Sequence, residues 1–484
     1  MRRDRRPPTP ASSLTRASVA GLAVASVAGL TSLAGVATAP RAEAAVSTPG
    51  AITSVSATPG PGAGQVTFTW AASGASTTAF VIETGLSTFK VGDPVLPDHG
   101  RSSTTFTLSP SRRSVTLTAA QVASAGAPIA SANHLYYRFK AVNVTASGTG
   151  VRAWPYLQNV AVAPAVPATT GTPLRVATFN VRTATAATGV SPWTTRVTGI
   201  ARTILRQQPG IVGLQELGIG RADGTSTPIT AGTLTQVRSL LDTLAAQGGA
   251  RYQLVRSTRF VAPGTPEAIQ GARILYDTSR YQLVSSCPER SDSLPLSTSS
   301  WSSSCSVVLP TLTGDDPWTT RRATYAVLAD RTTGREFYVV SAHLDQRQST
   351  SASTELTYER LRATQVRTVL ARVDQLNTGH LPVVMTADLN TYQNNPVAYE
   401  AHDALVSAGY YDTGAATTRV NDRYTTMNHF ACTLTVPGTG WGNRLDVVAV
   451  KGVSGAARWE NVMATTDCAR PSDHNLLVAD IRLP

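Results

Sequence analysis

Between residues 47 and 165, apolar and polar side chains alternate in short runs. Val66-Thr-Phe68-Thr-Trp70, Phe80-Val-Ile82, Phe106-Thr-Leu108, Val115-Thr-Leu117 and Leu135-Tyr-Tyr137-Arg-Phe139-Lys-Ala141 each place their apolar residues on one side of a pleated strand. Short strands of this kind, separated by turn residues, predict an all-β sandwich. The Ala-, Pro- and Thr-rich stretch that follows marks a change of domain, with a linker at 166–173.

From residue 174 the pattern changes. Helical stripes run through Trp193, Val197, Ile200, Ile204 and Leu205, and through Leu234, Val237, Leu240, Leu241 and Leu244; they stop at Pro209-Gly210 and Gly248-Gly249. Ser191 is the expected N-cap of the first, with Pro192 at its first helical position. A longer stripe spans 355–376, and a further helix is expected after Asn395-Pro396. Strand-like runs occupy 174–180, 211–216, 252–255, 273–276, 281–284, 322–328, 337–344, 383–390, 445–450 and 476–481. The Ser-rich residues 291–304, with Trp301 near their end, read as a loop. Strands that alternate with helices, yet also follow one another directly, predict an α/β sandwich of mixed sheets.

Six of these strand ends carry chemistry. In Val383-Val-Met-Thr-Ala-Asp388-Leu-Asn390 the pleat points Asp388 and Asn390 to the same side. Asn180, Glu216 and His343 end other strands, Asp446 stands at the start of one, and Asp473-His474 precedes the last. Each alone reads equally as a surface acid, a core histidine or a turn. Together they hold the parts for metal-assisted phosphoester hydrolysis. A carboxylate such as Glu216 suits a hard divalent cation, and Asp446 can orient His474 as a general base. Asp388 and Asn390 can position a water or a phosphate oxygen, and His343 can donate to the phosphate as charge builds there.

Composition narrows the setting. The chain carries +12 at pH 7; residues 1–44 hold six Arg against Asp4 and Glu43, so +12 less +4 leaves +8 on the remainder. That excess favours polyanionic partners. Residues 1–44, with a basic start, an apolar run diluted by Gly, Ser and Thr, and Ala42-Glu43-Ala44, read as a cleaved secretion signal. No other segment approaches the length of a membrane span, so an extracellular protein without an integral span is expected. Cys287, Cys305, Cys432 and Cys468 allow three pairings. Neighbour pairing, Cys287–Cys305 and Cys432–Cys468, is expected because each bond then pins one loop excursion; no C-x-x-C spacing supports zinc instead.

Residues 174–484 resemble the endonuclease/exonuclease/phosphatase superfamily. The resemblance rests on Thr178-Phe-Asn180, Gln215-Glu216, Ser341-Ala-His343-Leu344, Ala387-Asp388-Leu-Asn390, Arg444-Leu-Asp446 and Ser472-Asp473-His474, which occur in the family's order. It implies a four-layered α/β sandwich and a Mg2+ cofactor, with Mn2+ or Ca2+ as alternatives. It also implies Glu216 as metal ligand with Asn180 and Asp473 beside it, His474 as general base supported by Asp446, Asp388 and Asn390 holding the nucleophile, and His343 on the phosphate. Ala387 departs from the family's usual Gly, which requires an ordinary backbone angle there. Residues 47–165 resemble a fibronectin type III domain through Trp70 and the strand 135–143, and are expected to contact an extracellular surface or polymer. Export, positive charge and disulfides favour an extracellular nuclease, with DNA or RNA phosphates met by Arg273, Arg321, Arg322, Arg347 or Arg444. The alternatives are a sphingomyelinase or related phospholipase C, an inositol-phosphate phosphatase, and a non-catalytic adhesion protein.

Overall fold

The computed structural model describes residues 46–484 apart from 60–63, 74–75, 86–103, 125–133, 155–157, 162–170, 219, 228–229, 231, 256–270, 288–304, 316–319, 393–394, 396, 417, 437–441 and 454. The expected secretion signal, most of the linker, the Ser-rich loop with Trp301, and Pro396 lie outside the described residues.

The alternating N-terminal runs form two antiparallel sheets. One has the order β1-β2-β5 (Ile52–Pro59, Val66–Ala72, Ser114–Leu117). The other has the order β4-β3-β6-β7 (Thr104–Leu108, Ala79–Gly85, His134–Thr145, Gly148–Ala153), with β8 (Gln158–Ala161) on β6. Their apolar faces meet in one core, where Trp70 packs on Phe80 and Phe139 with ring centroids 5.4 and 5.0 Å away. A short helix, α1 (Ala119–Ser124), follows β5.

The rest of the chain builds two seven-stranded mixed sheets. The first has the order β11-β12-β10-β9-β22-β21-β19: Tyr252–Leu254, Arg273–Asp277, Ile211–Gln215, Thr172–Asn180, Leu476–Leu483, Ala456–Val462 and Thr418–Val420. The second has the order β13-β15-β16-β17-β20-β18: Tyr281–Leu283, Arg322–Asp330, Glu336–His343, Val383–Asp388, Asp446–Lys451 and Tyr411–Asp412, with β14 (Ser306–Val308) on β15. Strands buried on both faces must be apolar at nearly every position, which is why β10, β16 and β17 read as continuous runs. Leu174 and Val176 of β9, Val339, Val384 and Leu477 fill the space between the sheets. Ala177 and Phe179, one residue out of phase, meet the helices α2 (Trp193–Gln207) and α3 (Gln236–Leu244). Val340, Met385 and Val447 meet α4 (Ala352–Leu376) and α5 (Glu400–Ser407) on the opposite side. The layers are thus helix, sheet, sheet, helix: the mixed sheets that the pattern predicts, in the four-layered order that the resemblance implies.

Several local expectations need correction. Pro192, not Ser191, is the N-cap of α2, and no side chain closes it. Thr235 caps α3 by accepting from the Arg238 N–H, so Leu234 stands before the helix and is half exposed. The strand β17 ends at Asp388, and Asn390 lies in a left-handed turn at φ 51°. Both expected disulfides are present, Cys287–Cys305 and Cys432–Cys468. No described helix is long and apolar enough to cross a membrane.

Beneath one edge the sheets are joined by polar groups. Gln215 donates to Ser341 Oγ at 3.2 Å across the sandwich and accepts from Thr178 Oγ1 at 3.3 Å. Gly213 is required here, because a Cβ at that position would sit 1.8 Å from Thr386 Oγ1.

Candidate active site

The strand directions deliver the six polar ends to one place. The parallel pairs β9/β10 and β16/β17 run out toward this edge, whereas the antiparallel β20 and β22 start from it. In register, His343 faces Asp388 and Asp388 faces Asp446, so three chemistry-bearing residues share one row across three strands. Asn180 and Gln215 close the matching row of the other sheet, and Glu216 turns out of β10 in a left-handed conformation at φ 57°. Ala387 lies inside β17 without a positive φ, so an alanine is accommodated there.

Asn180 and Asp388 tie the two sheets together. Asn180 Nδ2 donates to Glu216 Oε1 at 3.2 Å and to Asp388 Oδ2 at 3.0 Å, while Asn180 Oδ1 accepts from the Arg182 N–H. The other Glu216 oxygen accepts from the Thr183 N–H at 2.9 Å. His343 Nε2 and His474 Nε2 lie 3.5 and 3.7 Å from Asp388 Oδ2, and His474 Nδ1 meets Asp446 Oδ2 at 2.9 Å. Asn390 reaches the site through its turn, not through the pleat. Its N–H donates to Asp388 Oδ1 at 2.9 Å, and its Nδ2 donates to the Leu344 carbonyl at 2.9 Å. Ser472 Oγ donates to the Asn180 carbonyl at 2.6 Å and so anchors the Asp473-His474 segment to β9.

Burial and charge set the protonation states. Burial disfavours the His474 imidazolium, but Asp446, Asp388 and Asp473 together outweigh it and raise its pKa to about 10. Burial, reinforced by Asp446, lifts Asp388 to about 6 against the opposing pull of His474 and Asn180. His343 goes the other way: burial, then the positive charges of Arg321 and His474, hold it well below the usual histidine range. His343 is therefore a neutral imidazole at neutral pH. Asp473 is raised, first by burial and then by Glu216.

Two groupings of residues suit a metal. Asp388, Asp446 and His474 each offer a ligand atom within 4.8 Å of the others. In that trio, however, the Asp446 carboxylate is engaged with His474 Nδ1, which is the geometry of an oriented acid–base pair. Glu216, Asp473 and Asn180 form an all-oxygen donor set, the kind hard divalent cations prefer. Arg182 stands 3.7 Å from Glu216 and 3.8 Å from Asp473, and His474 also acts on Asp473. This second set fits a hard divalent cation better.

A cleft of about 380 Å³ opens over these groups, lined by Glu216, His343, Asp388, Asn390, Asp473 and His474, with Asn180 and Asp446 buried behind them. Of the arginines the sequence nominates, Arg321 lines it, and its Nη1 is buried without a hydrogen-bond partner among the described residues. The others are engaged elsewhere. Arg273 donates to the Leu217 carbonyl at 2.8 Å, Arg322 to Ser306 Oγ at 3.1 Å, and Arg444 pairs with Asp412 at 2.5 Å. Arg347 is held between Asp315 and Asp345. Arg182, which sequence reasoning missed, lines the cleft instead; it follows Asn180 in a left-handed turn at φ 57° that no periodicity announces.

No family model matches the sequence, and no curated protein matches it. Among solved structures, the chain is similar to an endonuclease/exonuclease/phosphatase from Bacteroides vulgatus, with a TM-score of 0.46 and 21% identity over 65% of this chain and 100% of that one. It is similar to a mannosyl-6-phosphatase of Bacteroides thetaiotaomicron, with a TM-score of 0.44 and 19% identity over 63% of this chain and 98% of that one. The human Nocturnin catalytic domain with bound sulfate anion gives 0.39 and 16% over 65% and 97% of the two chains.

Proposed function

We propose that this chain is a secreted, divalent-metal-dependent phosphodiesterase acting on nucleic acid, with its signal at 1–44, a fibronectin type III-like module at 47–165, and a catalytic domain that begins with β9 at Thr172, two residues inside the expected linker of 166–173, and runs to 484. The observation that carries the reading is the Asp446–His474 pair, set against Asp388 and facing the Glu216/Asp473 carboxylates across one cleft. Glu216, Asn180 and Asp473 would hold the cation, which when bound offsets negative charge on the phosphate.

The protein's own groups supply the rest. With Nδ1–H given to Asp446, His474 Nε2 is the atom left to take a proton from water. Asp446, Asp388 and Asp473 together hold a proton there, so base function requires part of that carboxylate field to be offset, as a cation at Asp473 would do. Asp388, fixed by Asn180 and the Asn390 N–H, orients that water. As the water oxygen bonds to phosphorus, the opposite phosphoester bond breaks and its electron pair leaves with the departing oxygen. Neutral His343 and the Arg182 and Arg321 guanidiniums line the cleft where phosphate charge develops. The +8 of the mature chain and these two arginines support a polyanionic substrate.

The test is incubation of the mature protein with plasmid DNA, RNA, sphingomyelin and inositol phosphates, with and without chelator, beside His474→Ala. The reading predicts chelator-sensitive cleavage of DNA or RNA that the variant abolishes. Chelator-resistant turnover sinks the mechanism; turnover of lipid alone overturns the substrate.

A further inference from the structure

A second cavity, of about 620 Å³, opens beside the catalytic cleft. Gln348 and Tyr392 line both spaces. Gln348 stands five residues after His343, and Tyr392 four residues after Asp388. We propose that this cavity is a subsite for an uncharged nucleobase next to the scissile phosphate. The proposal rests on the phosphodiesterase reading and names the chemistry that its substrate must carry.

The lining chooses the occupant. Its apolar part comes from Ala352, Val397 and the half-buried Tyr392 ring. No Lys or Arg lines it among the described residues, so a second phosphate would meet no cation. Among the described residues Glu355 is the only carboxylate lining it, and its charge is already answered. One oxygen accepts from Arg362 at 2.7 Å and Asn395 Nδ2 at 3.1 Å, the other from the Ser349 N–H at 2.7 Å. A quaternary ammonium therefore finds no free acid. A flat, neutral heterocycle finds an aromatic ring to stack on and the Gln348 amide for its edge. The volume lies within the range of about 300–1,000 Å³ that small ligands occupy.

The walls are also held in place. Arg362, fully buried, donates to the Asp345 and Arg347 carbonyls and to Glu355 and Glu359. Glu359 in turn accepts from Thr391, Asn395 and the Glu400 N–H. One ion cluster on α4 thus holds Asp345, Arg347, Thr391 and Asn395 in place, so these walls of the subsite are formed before a ligand arrives.

The experiment compares thymidine 3′- and 5′-p-nitrophenyl phosphates with methyl p-nitrophenyl phosphate, which shares the leaving group and lacks the base. With Mg2+, Tyr392→Ala should raise KM for a thymidine ester about tenfold more than it raises KM for the methyl ester. Tyr392→Phe, which keeps the ring, should match the wild type on both. Equal effects on both esters, or none on either thymidine ester while turnover persists, overturns the subsite and leaves the phosphodiesterase reading intact. If the wild type turns over no ester, that reading fails, and binding alone decides the subsite. A 2-aminopurine oligonucleotide in chelator should then be quenched by the wild type and not by Tyr392→Ala; absence of quenching removes the proposal.

Discussion

Replacing Arg362 with Met tests the cluster that holds Asp345, Arg347, Thr391 and Asn395 in place. The side chain is fully buried, and Nη2 stands 2.7 Å from both Glu355 Oε1 and Glu359 Oε1. Nη1 adds bonds to the Arg347 carbonyl at 2.6 Å and the Asp345 carbonyl at 3.3 Å. Methionine fills the volume but leaves two buried carboxylates without their cation. Breaking a buried pair from one side costs about 3–5 kcal/mol. At about 2–4 °C per kcal/mol, the midpoint of thermal unfolding should fall by roughly 6–20 °C. Burial already lifts Glu359 to about 6 against the pull of Arg362, and losing that pull lifts it further. A carboxyl raised in the folded state binds its proton more readily there than when unfolded. Relative to wild type, the penalty is therefore full above the variant's raised value and shrinks as pH falls through that value to about 6, below which the wild-type carboxyl is protonated as well. Adding Glu359→Gln should restore about 1–3 kcal/mol, because it removes one stranded charge. Calorimetry of the four proteins at pH 7 and pH 5 reads all three effects. An Arg362→Met midpoint within about 2 °C of the wild type, or strict additivity with Glu359→Gln, refutes the reasoning.

Two further predictions follow from other charges. Asp412 is buried against Arg444 and His402. Burial opposes its ionisation, but these partners and the Gly414 N–H hold its carboxyl well below the usual range. A depressed carboxyl stabilises the fold above the ordinary value of about 3.9 and loses that contribution as pH falls through the folded value. Urea titrations across acid pH should show a steep loss in the wild type, and Asp412→Asn should be weaker at pH 7 with a flatter acid limb. Arg182 competes with a cation for Glu216 and Asp473. Unit charges about 4 Å apart in a watery medium interact by about 1 kcal/mol, so Arg182→Gln should bind Mg2+ about fivefold more tightly by calorimetry. Unchanged or weaker affinity counts against that competition.

The sequence made the site legible for a physical reason. Strands buried on both faces are apolar almost without exception, so Asn180, Glu216, His343 and Asp388 stand out where β9, β10, β16 and β17 leave the core. Three features resisted. Asn390 follows its strand by two residues, and the pleat rule assigns it a direction, but it acts from a left-handed turn set by its bond to Asp388. Some arginine partners are distant in sequence, as with Arg444 and Asp412 thirty-two residues apart, so spacing could not separate those arginines from Arg321. The strand β21 escaped because its burial is broken by the half-exposed Arg458 and Glu460, which pair with each other at 2.8 Å and blur the alternation. In the N-terminal sandwich the clean alternation of β2 predicted its buried face directly.

The central claim is that Glu216 and the Asp446–His474 pair are parts of one metal-dependent hydrolytic centre. The most direct measurement is steady-state hydrolysis of methyl p-nitrophenyl phosphate, with Mg2+ titrated into the wild type, Glu216→Gln and Asp446→Asn. Asp446→Asn should lower kcat by about 10²–10⁴-fold at saturating Mg2+, as expected for loss of general-base orientation. Glu216→Gln should instead shift the Mg2+ requirement upward, and chelator should silence all three proteins. Full kcat in Asp446→Asn, or turnover by the wild type in excess chelator, contradicts the account.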